Sequence, residues 1–361
     1  HQIKYIGSVT ISNEELNSIN LNKEYVEKSK LYNTDKLFLS IANTLIKSLI
    51  IILFLVFNGI TVIEDISGMI NIFGMNNDAM NIFVFIIIMT LIDLPISYYK
   101  TFNIEMNYGF NRQSKILFFK DFILSLVISM IIFLTLFITF HSVYNTYTEK
   151  WWLYMWVVFI IFNIFILYLF PVVISPLFNS FKKIDNERIT ACINDLVKKT
   201  NFNISDVYVM DGSKRSSHSN AYFTGFYKNK RIVFYDTLVK LLTPNEIKSV
   251  LAHEIGHYMK KHILQSMVIS FALSLLFFYI SYQIISFEFL FNQLSMTTSS
   301  TSHIVILFSL VLPSILYFIA PFFSVLSRKN EYEADDYAKL HSNKNDLITS
   351  LLKLNKENLN L

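Results

Sequence analysis

Residues Trp151–Ile174 read WWLYMWVVFIIFNIFILYLFPVVI, without a single Asp, Glu, Lys or Arg. A helix of about 20 apolar residues crosses the roughly 30 Å hydrocarbon layer of a bilayer, so this stretch predicts a membrane-spanning helix. Five further apolar runs of comparable length lie near 37–63, 80–97, 118–140, 263–285 and 304–326. One such run could be the core helix of a soluble protein, but six separated by polar segments indicate a multi-pass membrane protein.

The composition agrees with a chain that faces lipid. Hydrophobic residues make up 53% of the 361 positions, with 34 Phe, and charged residues only 16%. The net charge of +4 is too small to indicate nucleic-acid binding. Cys192 is the single cysteine, so an intrachain disulfide is impossible, which excludes a disulfide-stapled secreted fold.

The distribution of Lys and Arg predicts one orientation. Segments 64–79 and 286–303 contain neither residue, and 141–150 contains only Lys150. Because Lys and Arg are retained on the cytosolic side of a membrane, both ends of the chain and the long polar segment 175–262 are expected in the cytosol. The predicted organisation is a cytosolic arm over 1–36, four spans within 37–174, a cytosolic segment over 175–262, two spans within 263–326 and a cytosolic helix over 327–361.

Three charged residues lie inside or near the edges of the apolar runs. Lys47 is about ten residues into its run, so we expect it to face the bundle interior or water. Asp93 and Lys120 lie nearer to helix ends, from which their side chains can reach the membrane interface.

The cytosolic segment has the pattern of a small mixed α+β domain. An amphipathic helix is predicted after Asn186, with one face carrying Ile189, Ile193, Leu196 and Val197. Runs of β-prone residues follow at 207–210 and 231–235, and the stretch 219–225 between them is also extended in character. Together they predict a small sheet.

A helix start follows the sheet. Thr243 is a suitable N-cap, Pro244 fits the first helical position, and Glu246 completes a capping box. We therefore predict a helix that begins at this point and runs towards the next membrane span.

That helix carries the sequence His253-Glu254-Ile255-Gly256-His257. Side chains four residues apart lie on one helix face, so both imidazoles can bind one Zn²⁺. Glu254 can act as the general base that takes a proton from the attacking water, and Gly256 leaves room for a neighbouring element. The alternative is a helix face with two solvated or core histidines, which the scarcity of His in this chain disfavours.

A catalytic zinc needs a third protein ligand and an open position. In the segment after the last span, Glu331 and Asp335 share a helix face, with the small residues Ala334 and Ala338 beside them. A close approach of this helix would let Glu331 bind zinc and let Asp335 accept a hydrogen bond from a ligand imidazole.

Periodicity alone does not decide between carboxylates. Glu333 and Asp336 form a similar pair on another face of the same segment, and all four acids could instead form a solvated patch.

Several blocks of this sequence together resemble the type I CAAX prenyl proteases, integral-membrane zinc endopeptidases that process prenylated proteins. The resemblance covers nearly the whole chain. The blocks that carry it are Leu251–His257, Asp211–Gly225, Ser327–Asp335, Asp93–Pro95, Tyr108–Asn111 and Pro176–Asn179.

The resemblance implies a role for particular residues. It implies Glu331 as the third zinc ligand, with Asp335 holding a ligand imidazole. It also implies an edge strand near Asn220, along which the substrate lies, with His218, Asn220 and Ala221 as substrate-binding residues.

The resemblance also implies a fold and an activity. The expected fold is a mainly α polytopic bundle around an interior chamber, with a small cytosolic α+β zinc-protease domain of the gluzincin type. The expected activity is removal of the C-terminal tripeptide from prenylated CAAX proteins, in the endoplasmic reticulum membrane, with the active site facing the cytosol. The family has a further N-terminal helix and a C-terminal His-Pro block that are not found between His1 and Leu361, and since the sequence opens with His1 we treat both ends as open.

Two other functions compete with this prediction. One is a membrane quality-control zinc protease of broader specificity, although such relatives are shorter and have fewer spans. The other is a non-catalytic polytopic scaffold or transporter whose His and acidic residues bind ions.

Overall fold

The computed structural model of the protein describes residues 22–70, 76–202, 206–224, 231–294, 296–297 and 300–360. This part is mainly helical, as predicted. Two π-helical turns, Lys100–Glu105 and Phe170–Ile174, directly continue the α-helices that end at Tyr99 and Leu169. The α-helices are α1 (Lys23–Val56), α2 (Gly59–Met69), α3 (Asn77–Tyr99), α4 (Lys115–Thr146), α5 (Trp151–Leu169), α6 (Ser175–Phe178), α7 (Glu187–Thr200), α8 (Asp236–Leu241), α9 (Pro244–Met259), α10 (His262–Ile285), α11 (Glu288–Gln293), α12 (Thr301–His341) and α13 (Lys344–Glu357).

Six of the described helices are long and apolar enough to cross a bilayer, namely α1, α3, α4, α5, α10 and α12. This confirms the six predicted spans. Many of their large apolar side chains point outward; Leu45 is 65% exposed and Phe318 is 82% exposed. Apolar surface on this scale has to be covered, and in a polytopic protein lipid covers it.

The first span differs from its predicted bounds of 37–63. Helix α1 begins at Lys23, so the predicted boundary between arm and membrane at residue 36 falls inside one helix. It ends at Val56, where Asn58 takes a left-handed conformation with φ of 50° and α2 begins in a new direction. Residues 1–21 of the predicted arm lie outside the described residues.

The last span continues without a break into the segment that carries Glu331. Helix α12 runs from Thr301 to His341, through the predicted boundary at 326. Because the helix is continuous, residues such as Glu331 are held at a fixed distance from the membrane span.

The predicted small sheet is present between α6 and α8. It has four strands in the order β1 (Phe181–Lys183), β2 (Asp206–Met210), β4 (Arg231–Tyr235) and β3 (Ala221–Thr224). Strands β2 and β4 are parallel, with Tyr208 opposite Val233, and the outer pairs are antiparallel. Strand β3 therefore lies at one edge of the sheet as described; Gly225, which ends the predicted extended stretch, lies outside the described residues.

The core around the sheet includes side chains from five helices, α7, α8, α9, α12 and α13. Ile232 and Phe234 of β4 are fully buried against Leu251 of α9. The predicted amphipathic helix is α7, whose Ile189, Ile193 and Leu196 are buried in the same core. Asn186 caps α7 by accepting a hydrogen bond from the Ile189 amide at 3.1 Å. This core holds α9 on the sheet and sets the position of its histidines.

Candidate metal centre

Helix α9 begins where the sequence predicts. The Thr243 hydroxyl accepts a hydrogen bond from the Glu246 amide at 3.4 Å, and the Glu246 carboxylate accepts one from the Thr243 amide at 2.8 Å. Lys353 of α13 donates to the same carboxylate at 2.8 Å. Burial opposes the charge of Glu246, but these hydrogen bonds outweigh it and lower the pKa of the carboxyl group. The helix start is thus tied to α13.

Helices α9 and α12 approach closely at Gly256. A Cβ atom at this position would lie 3.0 Å from the Cα atom and from the carbonyl oxygen of Ala334. Ala334 itself has no exposed surface. The absence of a side chain on Gly256 therefore allows α12 to bring its carboxylates to the histidines, as the small residues of the sequence predict.

His253, His257 and Glu331 converge on one point. The Nε2 atoms of the two histidines are 3.2 Å apart, and Glu331 Oε2 lies 3.3 Å from His253 Nε2 and 3.6 Å from His257 Nε2. Two ligands that each lie about 2.0–2.1 Å from a tetrahedral Zn²⁺ are separated by about 3.3–3.4 Å. The three atoms therefore have the spacing of three corners of a zinc coordination tetrahedron.

Asp335 contacts the first of these histidines from behind. Its Oδ1 atom lies 2.9 Å from His253 Nδ1, on the side of the ring opposite to the convergent Nε2. A proton on Nδ1 leaves the lone pair of Nε2 free for a metal, which is the arrangement usual for metal-binding histidines. Glu333 does not join the three ligand atoms and lies instead beside His262, at 3.2 Å from its Nε2.

Burial, and next the neighbouring His253, lowers the pKa of His257, which favours the neutral imidazole that binds metals. Glu254 follows His253 in sequence and lines a cavity that His257 and Glu331 also line. Burial, together with the negative charge of Glu331, raises the pKa of Glu254 to about 7. A divalent cation at the three ligands would favour the charged form and oppose this rise.

A cavity of about 720 Å³ extends from the ligands into the membrane part of the bundle. At one end it is lined by Glu254, His257 and Glu331, and at the other by Phe271 of α10 and Phe323 of α12. Helix α5 closes one side with Asn163 and Leu167, and β3 contributes Tyr222 and Phe223.

Strand β3 reaches the cavity with residues that the sequence did not single out. Tyr222 and Phe223 line it, whereas Ala221 is buried against β4 and Asn220 is exposed at the start of the strand. The Asn220 side chain accepts a hydrogen bond from the Ala221 amide at 2.8 Å, and its carbonyl accepts one from Tyr235. The alternation of side chains along a strand, applied to the predicted edge strand, could have identified one of the two aromatic residues.

His218 lies in a different environment. Its ring stacks on Phe110 with centroids 4.1 Å apart, and its Nε2 lies 3.2 Å from Glu105 Oε2. Its Nδ1 lies 3.2 Å from Asn358 Oδ1. The side chain thus joins the π-helical turn that continues α3 to the residue that follows α13, and it is not among the described side chains that line the cavity.

Two family models match almost the whole chain. The first, described as the CAAX prenyl protease N-terminal domain with five membrane helices, matches residues 2–180. The second, peptidase family M48, matches residues 183–359. The junction, at residues 181–182, falls within β1, after the first four candidate spans.

Comparison with individual relatives indicates the same family as the two family models. A CAAX prenyl protease 1 homolog from Homo sapiens is 31% identical over 94% of this chain and 81% of its own length. CAAX prenyl protease 1 from Saccharomyces cerevisiae is 34% identical over 75% of this chain, and the match spans 63% of the yeast protein. The crystal structure of S. mikatae Ste24p superposes with a TM-score of 0.89 at 29% identity, covering 99% of this chain and 87% of that one.

The resemblance inferred from separate sequence blocks is thereby confirmed over both halves of the fold. The chain belongs to the M48 metallopeptidases, with the membrane domain of the CAAX prenyl proteases.

Proposed function

We propose that this protein is a zinc endopeptidase that removes the C-terminal tripeptide from prenylated CAAX proteins within the membrane. The observation that carries the proposal is the tetrahedral spacing of His253, His257 and Glu331 at the mouth of a cavity that continues between membrane helices. The family relatives that bear the name CAAX prenyl protease supply the substrate class.

Each residue of the centre has a separate task. His253, His257 and Glu331 hold Zn²⁺, which supplies Lewis-acid chemistry by acidifying water and polarising the scissile carbonyl. Glu254 takes the proton of the attacking water and passes it to the departing amine. Asp335 fixes the tautomer and the orientation of His253.

The substrate peptide lies along the outer edge of β3. This strand pairs with β4 on one side, Ala221 opposite Phe234, so a peptide can add to its other side as a further strand. Asn220 and Ala221 at the start of β3 guide the peptide, and Tyr222 and Phe223 contact it in the cavity. His218, which precedes β3, supports this strand through its contacts with Phe110, Glu105 and Asn358.

The lipid of the substrate fits the membrane end of the cavity. From Glu331 to Phe323 along α12 is eight residues, or about 12 Å at the usual helical rise. The apolar side chains of Met267, Phe271 and Leu326 line this length. Burial of hydrocarbon contributes about 0.8 kcal/mol per CH₂ group, so a prenyl chain placed here would add considerable affinity.

The decisive experiment replaces Glu254 with Gln. The Glu254→Gln variant should retain one zinc ion per chain and lose cleavage of a farnesylated peptide, because the amide cannot accept the proton. Turnover at the rate of the unchanged protein would contradict the mechanism.

Two further measurements separate the competing functions. A quality-control protease should cleave a prenylated and an unprenylated peptide of the same sequence equally well, whereas we expect a marked preference for the prenylated one. A scaffold or transporter should show no metal-dependent peptidase activity, whereas we expect a chelator to remove both zinc and activity.

We further propose that the metal centre faces the cytosol, in the membrane of the endoplasmic reticulum. The absence of Lys and Arg from segments 64–79 and 286–303 supports this orientation. Cys192 of α7 is the single cysteine and is partly exposed, so it serves as a natural reporter. A membrane-impermeant maleimide should label Cys192 from the cytosolic side of sealed vesicles, and a Cys192→Ser/Glu149→Cys double variant should be labelled only from the other side.

A further inference from the structure

His262 is almost completely buried, with 4% of its surface exposed, and lies at the start of α10 directly behind His257. Lys261 before it takes a left-handed conformation with φ of 60°, which reverses the chain between α9 and α10. The reversal brings His262 Nδ1 to 3.0 Å from His257 Nδ1. On its other side, His262 Nε2 lies 3.2 Å from Glu333 Oε2.

We propose that His262 and Glu333 are positioning residues that orient His257 for the metal, as Asp335 orients His253. The inference rests on the metal centre proposed above. It gives a role to Glu333, the acid that periodicity left as a rival ligand, and to a histidine that the sequence did not single out.

The direction of the hydrogen bonds follows from the geometry. His257 turns Nε2 towards His253 Nε2 and Glu331 Oε2, so Nε2 must present a lone pair to a metal and Nδ1 must carry the proton. That proton is donated to His262 Nδ1, which therefore carries none. A neutral imidazole has one N–H group, so the proton of His262 is on Nε2 and is donated to the Glu333 carboxylate.

In this series of hydrogen bonds, from His257 through His262 to Glu333, every ring nitrogen donates or accepts once. A proton on His262 Nδ1 would place two N–H groups face to face at 3.0 Å, so the arrangement permits a single tautomer of each ring. The carboxylate at the end makes His262 a better acceptor, and His262 in turn makes His257 a better ligand. Glu333 is itself held within 3.8 Å of Lys329 on the preceding turn of α12.

The burial of His262 supports a function beyond surface packing. A buried polar ring costs free energy unless both of its nitrogens find partners, and His262 finds them only in His257 and Glu333 among the described contacts. Since α9, α10 and α12 each contribute one of these three residues, the chain of bonds also fixes the mutual position of three helices.

The test measures zinc affinity of the full-length protein by competition with a chelator, without substrate. His262→Leu removes both bonds and should weaken zinc binding by about 10–100-fold, as is typical when a hydrogen-bond partner of a ligand is lost. His262→Asn places an amide oxygen near the position of Nδ1, where it can accept from His257, and should restore much of the affinity. His341→Leu removes another histidine of the cytosolic part, one whose Nδ1 bonds only to Tyr337 of its own helix, and should leave zinc binding unchanged.

The outcomes separate orientation of the ligand from a general effect on folding. His262→Gln reaches Glu333 but not His257, so it should bind zinc more weakly than His262→Asn does, even if His262→Leu fails to fold. Equal affinities for the Asn and Gln variants, or an affinity of His262→Leu within twofold of the unchanged protein, would overturn the proposal. Because no substrate is present, a failure to cleave prenylated peptides would contradict the proposed function and leave this result intact.

Discussion

Asp335 and Asp336 are adjacent on α12 but differ in what they contact. Asp335 Oδ1 lies 2.9 Å from His253 Nδ1, whereas Asp336 is 73% exposed and bonds to Lys339 at 2.9 Å. At the scale of single residues, the proposed metal centre therefore depends on which carboxylates face α9 and not on how many acids the segment contains.

This difference gives the first prediction. Asp335→Ala should weaken zinc binding by about 10–100-fold, because His253 loses the partner that fixes its tautomer. Chelator competition measures the change. Asp336→Ala is the matched control and should bind zinc as the unchanged protein does; equal losses in both variants would show that charge, and not the hydrogen bond, matters.

At the scale of elements, the contact between α9 and α12 depends on Gly256. Gly256→Ala would place a Cβ atom 3.0 Å from the backbone of Ala334, so one helix must shift. Overpacking of this kind costs about 1–3 kcal/mol. We expect a lower midpoint of thermal unfolding in detergent together with weaker zinc binding, because the shift moves Glu331 away from the histidines.

Gly68 provides the control for that substitution. It lies in α2 with no atom within 4 Å of a Cβ at its position. Gly68→Ala should leave stability unchanged or raise it by up to about 1 kcal/mol, because alanine favours the helix. A similar loss in both variants would contradict the role of the close approach at Gly256.

Strand β3 is held from behind by Asn358, the residue that follows α13. Asn358 Oδ1 accepts from the Ser219 amide at 3.0 Å, and its Nδ2 donates to the Ser219 carbonyl at 3.1 Å. The same Oδ1 lies 3.2 Å from His218 Nδ1. One amide side chain thus pairs with the backbone just before β3, in the manner of a neighbouring strand.

Removing this side chain should loosen the strand. In Asn358→Ala, two buried backbone groups of Ser219 lose partners, at about 1–3 kcal/mol for each unsatisfied group. We expect faster amide hydrogen exchange in residues 221–224 and a higher KM for a peptide substrate, with little change in zinc affinity. Asn355→Ala, on the exposed face of α13, should change neither quantity; an unchanged exchange rate in Asn358→Ala would contradict the role of this contact.

At the scale of the whole molecule, ion pairs join the membrane helices to one another and to the part of the chain that contains the sheet. Lys47 Nζ of α1 lies 2.7 Å from Asp93 Oδ1 of α3. The sequence places Asp93 near a helix end without assigning it a partner, and the structure pairs it with Lys47. Arg215 binds Asp121 of α4 through two nitrogens, at 2.7 Å and 2.9 Å, and so ties the segment between β2 and β3 to the bundle.

The Lys47–Asp93 pair gives the last prediction. Lys47→Ala or Asp93→Ala leaves the other charge unpaired on a membrane span, where a lone charge costs up to a few kcal/mol; the cost is smaller where water reaches these side chains, which are 46% and 53% exposed. Each single variant should unfold at a lower temperature in detergent. The exchanged pair Lys47→Asp/Asp93→Lys should recover most of the loss; an exchange as damaging as the single variants would show that the two charges act separately.

The amino-acid sequence alone was sufficient to predict the six spans, the start of α9 and the paired histidines. These features depend on local periodicity, on capping residues and on spacing along one helix, which a sequence displays directly. It also predicted that Glu331 and Asp335 share a face, because they are four residues apart. It could not choose between that face and the one that carries Glu333, since both patterns are equally regular.

Tertiary packing sets which residues from distant parts of the sequence come into contact. It brought Glu331 to the histidines through the contact of Gly256 with Ala334, and it placed Glu333 on His262. It also placed Tyr222 and Phe223 in the cavity, and His218 on Glu105 and Asn358. The physical reason is that these contacts join residues up to 140 positions apart, and their geometry depends on the packing of whole helices rather than on any local pattern.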